Sequence, residues 1–106
     1  MLILNENDSE QTFAVTTGDD IVITLSENPT TGFQWSVESV DGNLEIVSSE
    51  FEAPSGGQPG ASGRRTVRLR ATGHTSGELT LRYARQRDSS GDAARRCRFF
   101  FKIKSA

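Results

Sequence analysis

"DIVITLSENPTTGFQWSVE", Asp20 to Glu38, places two alternating apolar runs on either side of a stiff, hydroxyl-rich connection. Ile21, Ile23 and Leu25 share one side of the first run; Phe33, Trp35 and Val37 share one side of the second. Successive side chains of an extended chain point to opposite faces, so each run reads as a strand with one buried face. The connection is no ordinary tight turn. Pro29 fixes its own φ and pushes Asn28 into an extended conformation. Thr30 and Thr31 add β-branched stiffness, and Gly32 supplies the backbone freedom needed at the exit.

The same period of two runs outward in both directions. Upstream, "QTFAVT" puts Phe13 and Val15 on one face and joins the Asp20 run at Gly18-Asp19. Downstream, "DGN" at 41–43 predicts a hairpin-type turn into "LEIVSSEFEA". A Gly/Pro/Ser stretch from Pro54 to Gly63 makes a long loop. Beyond it "RRTVRLRA" turns Val67 and Leu69 inward and Arg68 and Arg70 outward. After the turn "TGHTSG", Leu79, Leu81 and Tyr83 share a face of "ELTLRYAR". "QRDSSGDA" is a further polar loop. The final run, "RRCRFFFKIK", points Cys97, Phe99, Phe101 and Ile103 inward, with Arg98, Phe100 and Lys102 outward. No segment carries a helical period. Seven to eight short strands separated by turn signals predict an all-β fold, an immunoglobulin-like antiparallel sandwich without its disulfide.

With 106 residues, one domain spanning 1–106 is expected. Such a chain buries roughly two-thirds of its unfolded surface and needs neither metal nor disulfide to fold. Hydrophobic residues make up 34%, which suits a thin core between two layers. No apolar run reaches membrane-spanning length, and "MLILNENDSE" is too short and too acidic for a signal-peptide core. If Met1 is the native start the expected compartment is the cytoplasm; if a leader has been removed, the protein is exported.

Charge is divided unevenly. Residues 1–63 hold eleven acids and no Lys or Arg, whereas residues 64–106 hold twelve basic residues and three acids, so the halves carry −11 and +9. Interleaved strands would pair these charges; segregated ones would create a basic face attractive to a polyanion.

The chemistry of an enzyme is missing. His74 is the sole histidine and stands in a turn. Cys97, the sole cysteine, alternates with Phe99 and Phe101 as a core residue, which makes it a buried inert thiol rather than a nucleophile. Asp19 and Asp20 are adjacent, so their side chains diverge. No spacing suggests a metal site, and the Gly-rich stretch lacks the Lys and the helix of a phosphate cradle. No catalytic residue and no cofactor are expected.

Three connections have unusual composition: the stiff loop, the Gly-rich loop and the loop beginning Arg85-Gln86-Arg87. In a sandwich of this connectivity they can gather at one end, and loops on a rigid scaffold are where binding resides. "NPTTGFQW" resembles the Asn-Pro-Thr-Thr-Gly-aromatic signature of the chagasin-type inhibitors of papain-family cysteine proteases, which offer three loops at one end of an immunoglobulin-like sandwich. The resemblance spans about Thr12 to Lys104 and is most specific over Asn28 to Trp35. The second family loop carries Gly-x-Gly-Gly, and the nearest match is Gly60-Ala61-Ser62-Gly63. The third begins Arg-Pro-Trp; Arg85-Gln86-Arg87 keeps the arginine and loses the proline and aromatic.

The resemblance implies a protease-binding set of Asn28, Pro29, Thr30, Thr31, Gly32, Phe33, Gly60, Ala61, Ser62, Gly63, Arg85, Gln86 and Arg87. Thr30 would lie nearest the catalytic cysteine, with Asn28 and Thr31 bracing the loop. The Gly60–Gly63 segment would run along the substrate groove, and Arg87 would replace the missing aromatic by cation–π contact. A preorganised loop avoids much of the ordering cost of binding. The expected partner is a papain-family cysteine protease, met by a monomer that binds neither nucleic acid nor membrane. The residues alone leave two other readings open. One is a binding module presenting Arg68, Arg70, Arg82, Arg98 and Lys102 to an acidic ligand; the other is an adhesion domain with no inhibitory activity.

Overall fold

The computed structural model describes residues 1–28, 32–53, 63–85 and 95–106. They form eight strands and one short 3-10 turn: β1 (Leu2–Asn5), the turn Glu6–Asp8, β2 (Gln11–Thr16), β3 (Asp20–Glu27), β4 (Phe33–Gly42), β5 (Leu44–Glu52), β6 (Gly63–Ala71), β7 (Ser76–Arg85) and β8 (Arg95–Lys104). Two four-stranded sheets result, one in the order β1-β3-β6-β5 and the other β2-β8-β7-β4. The expected sandwich is present. The central pairings are antiparallel, while β1 joins β3 and β2 joins β8 in parallel.

Alternation builds the core as predicted. Ile21, Ile23, Leu69, Leu79, Leu81 and Phe99 are wholly inaccessible, and Leu25, Trp35, Val67, Cys97, Phe101 and Ile103 are buried beside them. Burying each large apolar side chain contributes roughly 1.5–3 kcal/mol, and this shared layer between the sheets is what holds them face to face. Tyr83 and Phe13 pack against the core while remaining partly exposed. Cys97 is a free thiol. Burial pushes it above its ordinary value, as its inward register required.

Three expectations need correction. "DGN" is not a hairpin turn, because β4 and β5 belong to different sheets. Gly42 takes φ +79 there, and a Cβ on it would lie 2.3 Å from the Ser76 carbonyl oxygen, so the chain crosses between layers pressed against β7. Val37 lies on the Trp35 side by alternation but is 37% exposed, beside a bulge between Val37 and Ser39 that shifts the pairing of β4 on its edge. The single Arg-rich face does not exist. Arg68 and Arg70 project from β6 in one sheet, whereas Arg82, Arg98 and Lys102 project from β7 and β8 in the other. Instead β6 runs between the acidic strands β3 and β5, so Asp20, Arg70 and Glu45 stand in one register row. Charges of opposite sign interleave in that sheet.

The strand β1 was not expected from the sequence. It adds to the edge of β3 with Leu4 buried and Ile3 68% exposed. A capping box in which Asn5 and Asp8 satisfy each other's backbone holds the turn that follows. Ser9 and Glu10 then fasten the chain to Arg98 of β8, the Ser9 hydroxyl accepting from Arg98 N at 3.0 Å and Glu10 N donating to Arg98 O at 2.6 Å.

Candidate functional site

Strand register fixes where the three unusual loops begin and end. Glu27 pairs with Gly63 and Arg64 with Glu52, which puts the end of β3, the start of β6 and the end of β5 at one end of the first sheet. Phe33 pairs with Arg85 and Tyr83 with Arg95, which does the same for β4, β7 and β8 in the second sheet. Polar contacts between the sheets show that these are the same end of the sandwich. Asn28 N donates to the Tyr83 hydroxyl at 3.4 Å, and Trp35 Nε1 donates to the Ser26 carbonyl at 2.9 Å.

The centre of this end is Glu27, 3% exposed. The period of β3 places it on the face of Ile21, Ile23 and Leu25, so a carboxylate enters the core layer. It is satisfied there from three directions. Trp35 N donates to Oε1 at 2.6 Å, Arg65 Nε to Oε1 at 3.2 Å and Arg65 Nη2 to Oε2 at 2.8 Å. Arg65 likewise shares the inward parity of Val67 and Leu69 in β6, and its guanidinium lies 5.6 Å from the Phe51 ring centroid. One buried ion pair therefore ties the residue before the stiff loop to the strand after it, and to the strand leaving the Gly-rich loop.

Trp35, whose N–H Glu27 holds, belongs to a stack of rings. Phe33 and Tyr83 have centroids 5.5 Å apart, and Tyr83 and Trp35 4.9 Å. Arginines from the two ends of the third loop close the stack. Arg85 lies 5.1 Å over Phe33, and Arg95 lies 5.9 Å over Trp35. Arg95 also forms an ion pair with Glu6, whose Oε1 accepts from Ser26 N at 2.7 Å.

Of the residues expected to bind a protease, five are described. Asn28 is half-buried at the root of the first loop. Gly32 takes φ +80 with open space around it, the left-handed conformation that favours glycine. Phe33 belongs to the ring stack, and Arg85 caps it. Gly63 has a structural reason for lacking a side chain: a Cβ would come 2.5 Å from the Glu52 carbonyl and from the Phe51 ring. Pro29, Thr30, Thr31, Gly60, Ala61, Ser62, Gln86 and Arg87 lie outside the described residues. Glu6, Glu27, Arg65 and Arg95 were missed by sequence reasoning. A signal existed for two of them, since Glu27 and Arg65 are charged residues with the parity of a buried face. Among the described residues no cluster of His, Cys, Asp and Glu could hold a metal ion.

Known proteins resemble this chain in sequence and in fold. The sequence model described as chagasin family peptidase inhibitor I42 matches residues 14–103, so the chain belongs to the chagasin family of peptidase inhibitors. It is an inhibitor and not an enzyme. Amoebiasin-1 of Entamoeba histolytica is similar, 29% identical over 82 residues that cover 77% of this chain and 80% of that protein. Among solved structures, the cysteine protease inhibitor EhICP2 from Entamoeba histolytica has a TM-score of 0.85 at 23% identity, covering 97% of this chain and 95% of the other. PbICP-C, solved in complex with falcipain-2, has a TM-score of 0.59 at 14% identity, covering 98% of this chain and 89% of the other. At those identities the two structural likenesses speak for the fold alone.

Proposed function

We propose that the protein is a reversible inhibitor of papain-family cysteine proteases that enters the active-site cleft with the three loops at the Glu27 end of the sandwich. It acts as one sandwich domain and as a monomer. Asn28 to Phe33 form the central loop, with Thr30 over the catalytic cysteine. Gly60 to Gly63 lie along the substrate groove, and Arg85 to Arg87 meet the opposite wall. The observation that carries this reading is the fastening of all three loop roots at one end, through Glu27, Arg65, Tyr83, Phe33 and Arg85. Family membership supports the same target class.

The roots explain how a chain with a degraded third motif retains a preorganised binding end. Binding free energy is lost to whatever ordering the loops still need, so anchoring each loop at both ends shortens the stretch that must be ordered. The pair Thr30→Ala and Thr31→Ala tests the assignment. Together they should weaken inhibition of papain while leaving the melting temperature unchanged within error. A large loss of stability with unchanged inhibition would make the loop a structural connection instead.

A further inference from the structure

Residues 1–13 lie outside the region matched by the family model, yet one of them reaches into the binding end. Glu6 sits in the 3-10 turn after β1, with its side chain only 16% exposed. Both of its carboxylate oxygens are used, and on groups that belong to loop roots. Oε1 accepts from Ser26 N at 2.7 Å, two residues before Asn28. Oε2 pairs with Arg95, the first residue of β8, where the chain returns from the third loop. Arg95 in turn lies over Trp35, whose own backbone N–H is held by Glu27. We propose that Glu6 is a positioning residue for inhibition, and that the N-terminal segment is a strut locking the return of the third loop against the root of the first.

The local structure is built for this. Parallel pairing of Asn5 with Thr24 sets Glu6 beside the end of β3, and the reciprocal Asn5–Asp8 caps fix the direction of the turn. The Ser9 and Glu10 contacts with Arg98 then pin the segment to β8 only three residues beyond Arg95. The strut thus joins the two sheets at the end that carries the loops. The acidic groups of the opening segment acquire a use that composition alone did not suggest. In a third loop that has lost the proline of its family pattern, orientation must come from its anchors. Arg85 supplies one by stacking on Phe33; Arg95, held by Glu6, supplies the other.

This inference rests on the inhibitor reading, and its test separates the two. Full-length wild type, Glu6→Gln, Glu6→Ala, Arg95→Ala and the Glu6→Ala/Arg95→Ala double variant are titrated against papain, with association and dissociation rates followed separately. Amide exchange at Ser26 is measured in each free protein. Glu6→Ala should weaken inhibition about fivefold, mainly through faster dissociation. The double variant should be no weaker than Arg95→Ala alone, because the two residues act as one unit. Glu6→Gln should keep slow exchange at Ser26 yet show weakened inhibition, separating the ion pair from the backbone contact. Additive losses, or variants that inhibit like a wild type that itself inhibits, would overturn the proposal. If wild type leaves papain untouched, the inhibitor reading fails and the strut's functional role fails with it. Faster Ser26 exchange in Glu6→Ala would then report only a fold contact.

Discussion

Glu27 and Arg65 form a bidentate pair in the core layer, Nη2 to Oε2 at 2.8 Å and Nε to Oε1 at 3.2 Å, with the two side chains only 4% and 11% exposed. Buried pairs gain little over a well-packed apolar pair, but removing one partner strands the other without water. Arg65→Ala is therefore expected to cost about 3–5 kcal/mol in urea unfolding. The double replacement Glu27→Leu with Arg65→Met should cost much less than the single one. It should still impair inhibition, because the Trp35 N–H at the exit of the first loop loses its acceptor.

Gly63 allows Phe51 to close over the root of the Gly-rich loop. Gly63→Ala forces a Cβ to within 2.5 Å of the Glu52 carbonyl and of the ring. Backbone cannot yield as a flexible side chain does, and overpacking of this kind costs about 1–3 kcal/mol. Thermal unfolding should record a lowered midpoint. Phe51→Leu in the same chain should restore only part of it, since the carbonyl contact persists.

On the outer face of the second sheet, Arg82 stands opposite Arg96 in the β7–β8 register. Its Nε and Nη2 are buried and have no hydrogen-bond partner among the described residues. Like charges directly opposite destabilise a strand pair, and a buried donor without a partner adds its desolvation cost. Arg82→Met is expected to raise stability by about 1 kcal/mol, read as a higher denaturant midpoint at unchanged slope. A loss of stability would mean that the attraction between Arg82 and the Glu38 carboxylate outweighs these costs.

Cys97 is 4% exposed, and burial holds its thiol above its ordinary value of 9.0. The reactive thiolate is thus scarce as well as inaccessible. The native protein should resist a thiol reagent at pH 8 and react stoichiometrically once unfolded in guanidinium. The sign for stability follows from the raised value. Its contribution is fully present below pH 9 and is lost as pH rises through the folded-state value, because only the unfolded thiol ionises early.

Glu38 titrates in the opposite direction. Its hydrogen bonds from Arg96, at 2.9 and 3.2 Å, lower its carboxyl below the usual value, with Arg82 and Arg98 adding to the attraction. A depressed folded-state value contributes stability above the unfolded pKa that is lost as pH falls through the folded one. Because the group is exposed, Glu38→Gln should change the acid limb of a stability profile only slightly, and salt should erase the difference.

Much of this was legible in the chain, and what was not has identifiable causes. Period-two alternation located the strands from Gln11 onward and the buried faces of Ile21, Ile23, Leu79, Leu81, Phe99 and Phe101. "NPTTGFQW" pointed to the family. The four-residue strand Leu2–Asn5 escaped notice because nothing in so short a run announces a parallel partner nineteen residues on. The crossing at Gly42 looked like a hairpin because a Gly turn between alternating runs carries no mark of which sheet each run joins. The Arg-rich face dissolved for the same reason, since alternation gives inward and outward but not which layer. Glu27 and Arg65 were readable in principle. Each breaks an apolar face on its strand, and Arg65 faces Leu25 while Glu27 faces Gly63, so the two opposite charges meet on a diagonal of the same inward face.

Whether this sandwich end fills the cleft of a papain-like enzyme is decided by titrating purified protein against papain with a fluorogenic peptide, with trypsin as control. Stoichiometric loss of papain activity with trypsin untouched is the expected result. Full papain activity at micromolar protein, or equal inhibition of trypsin, would contradict it.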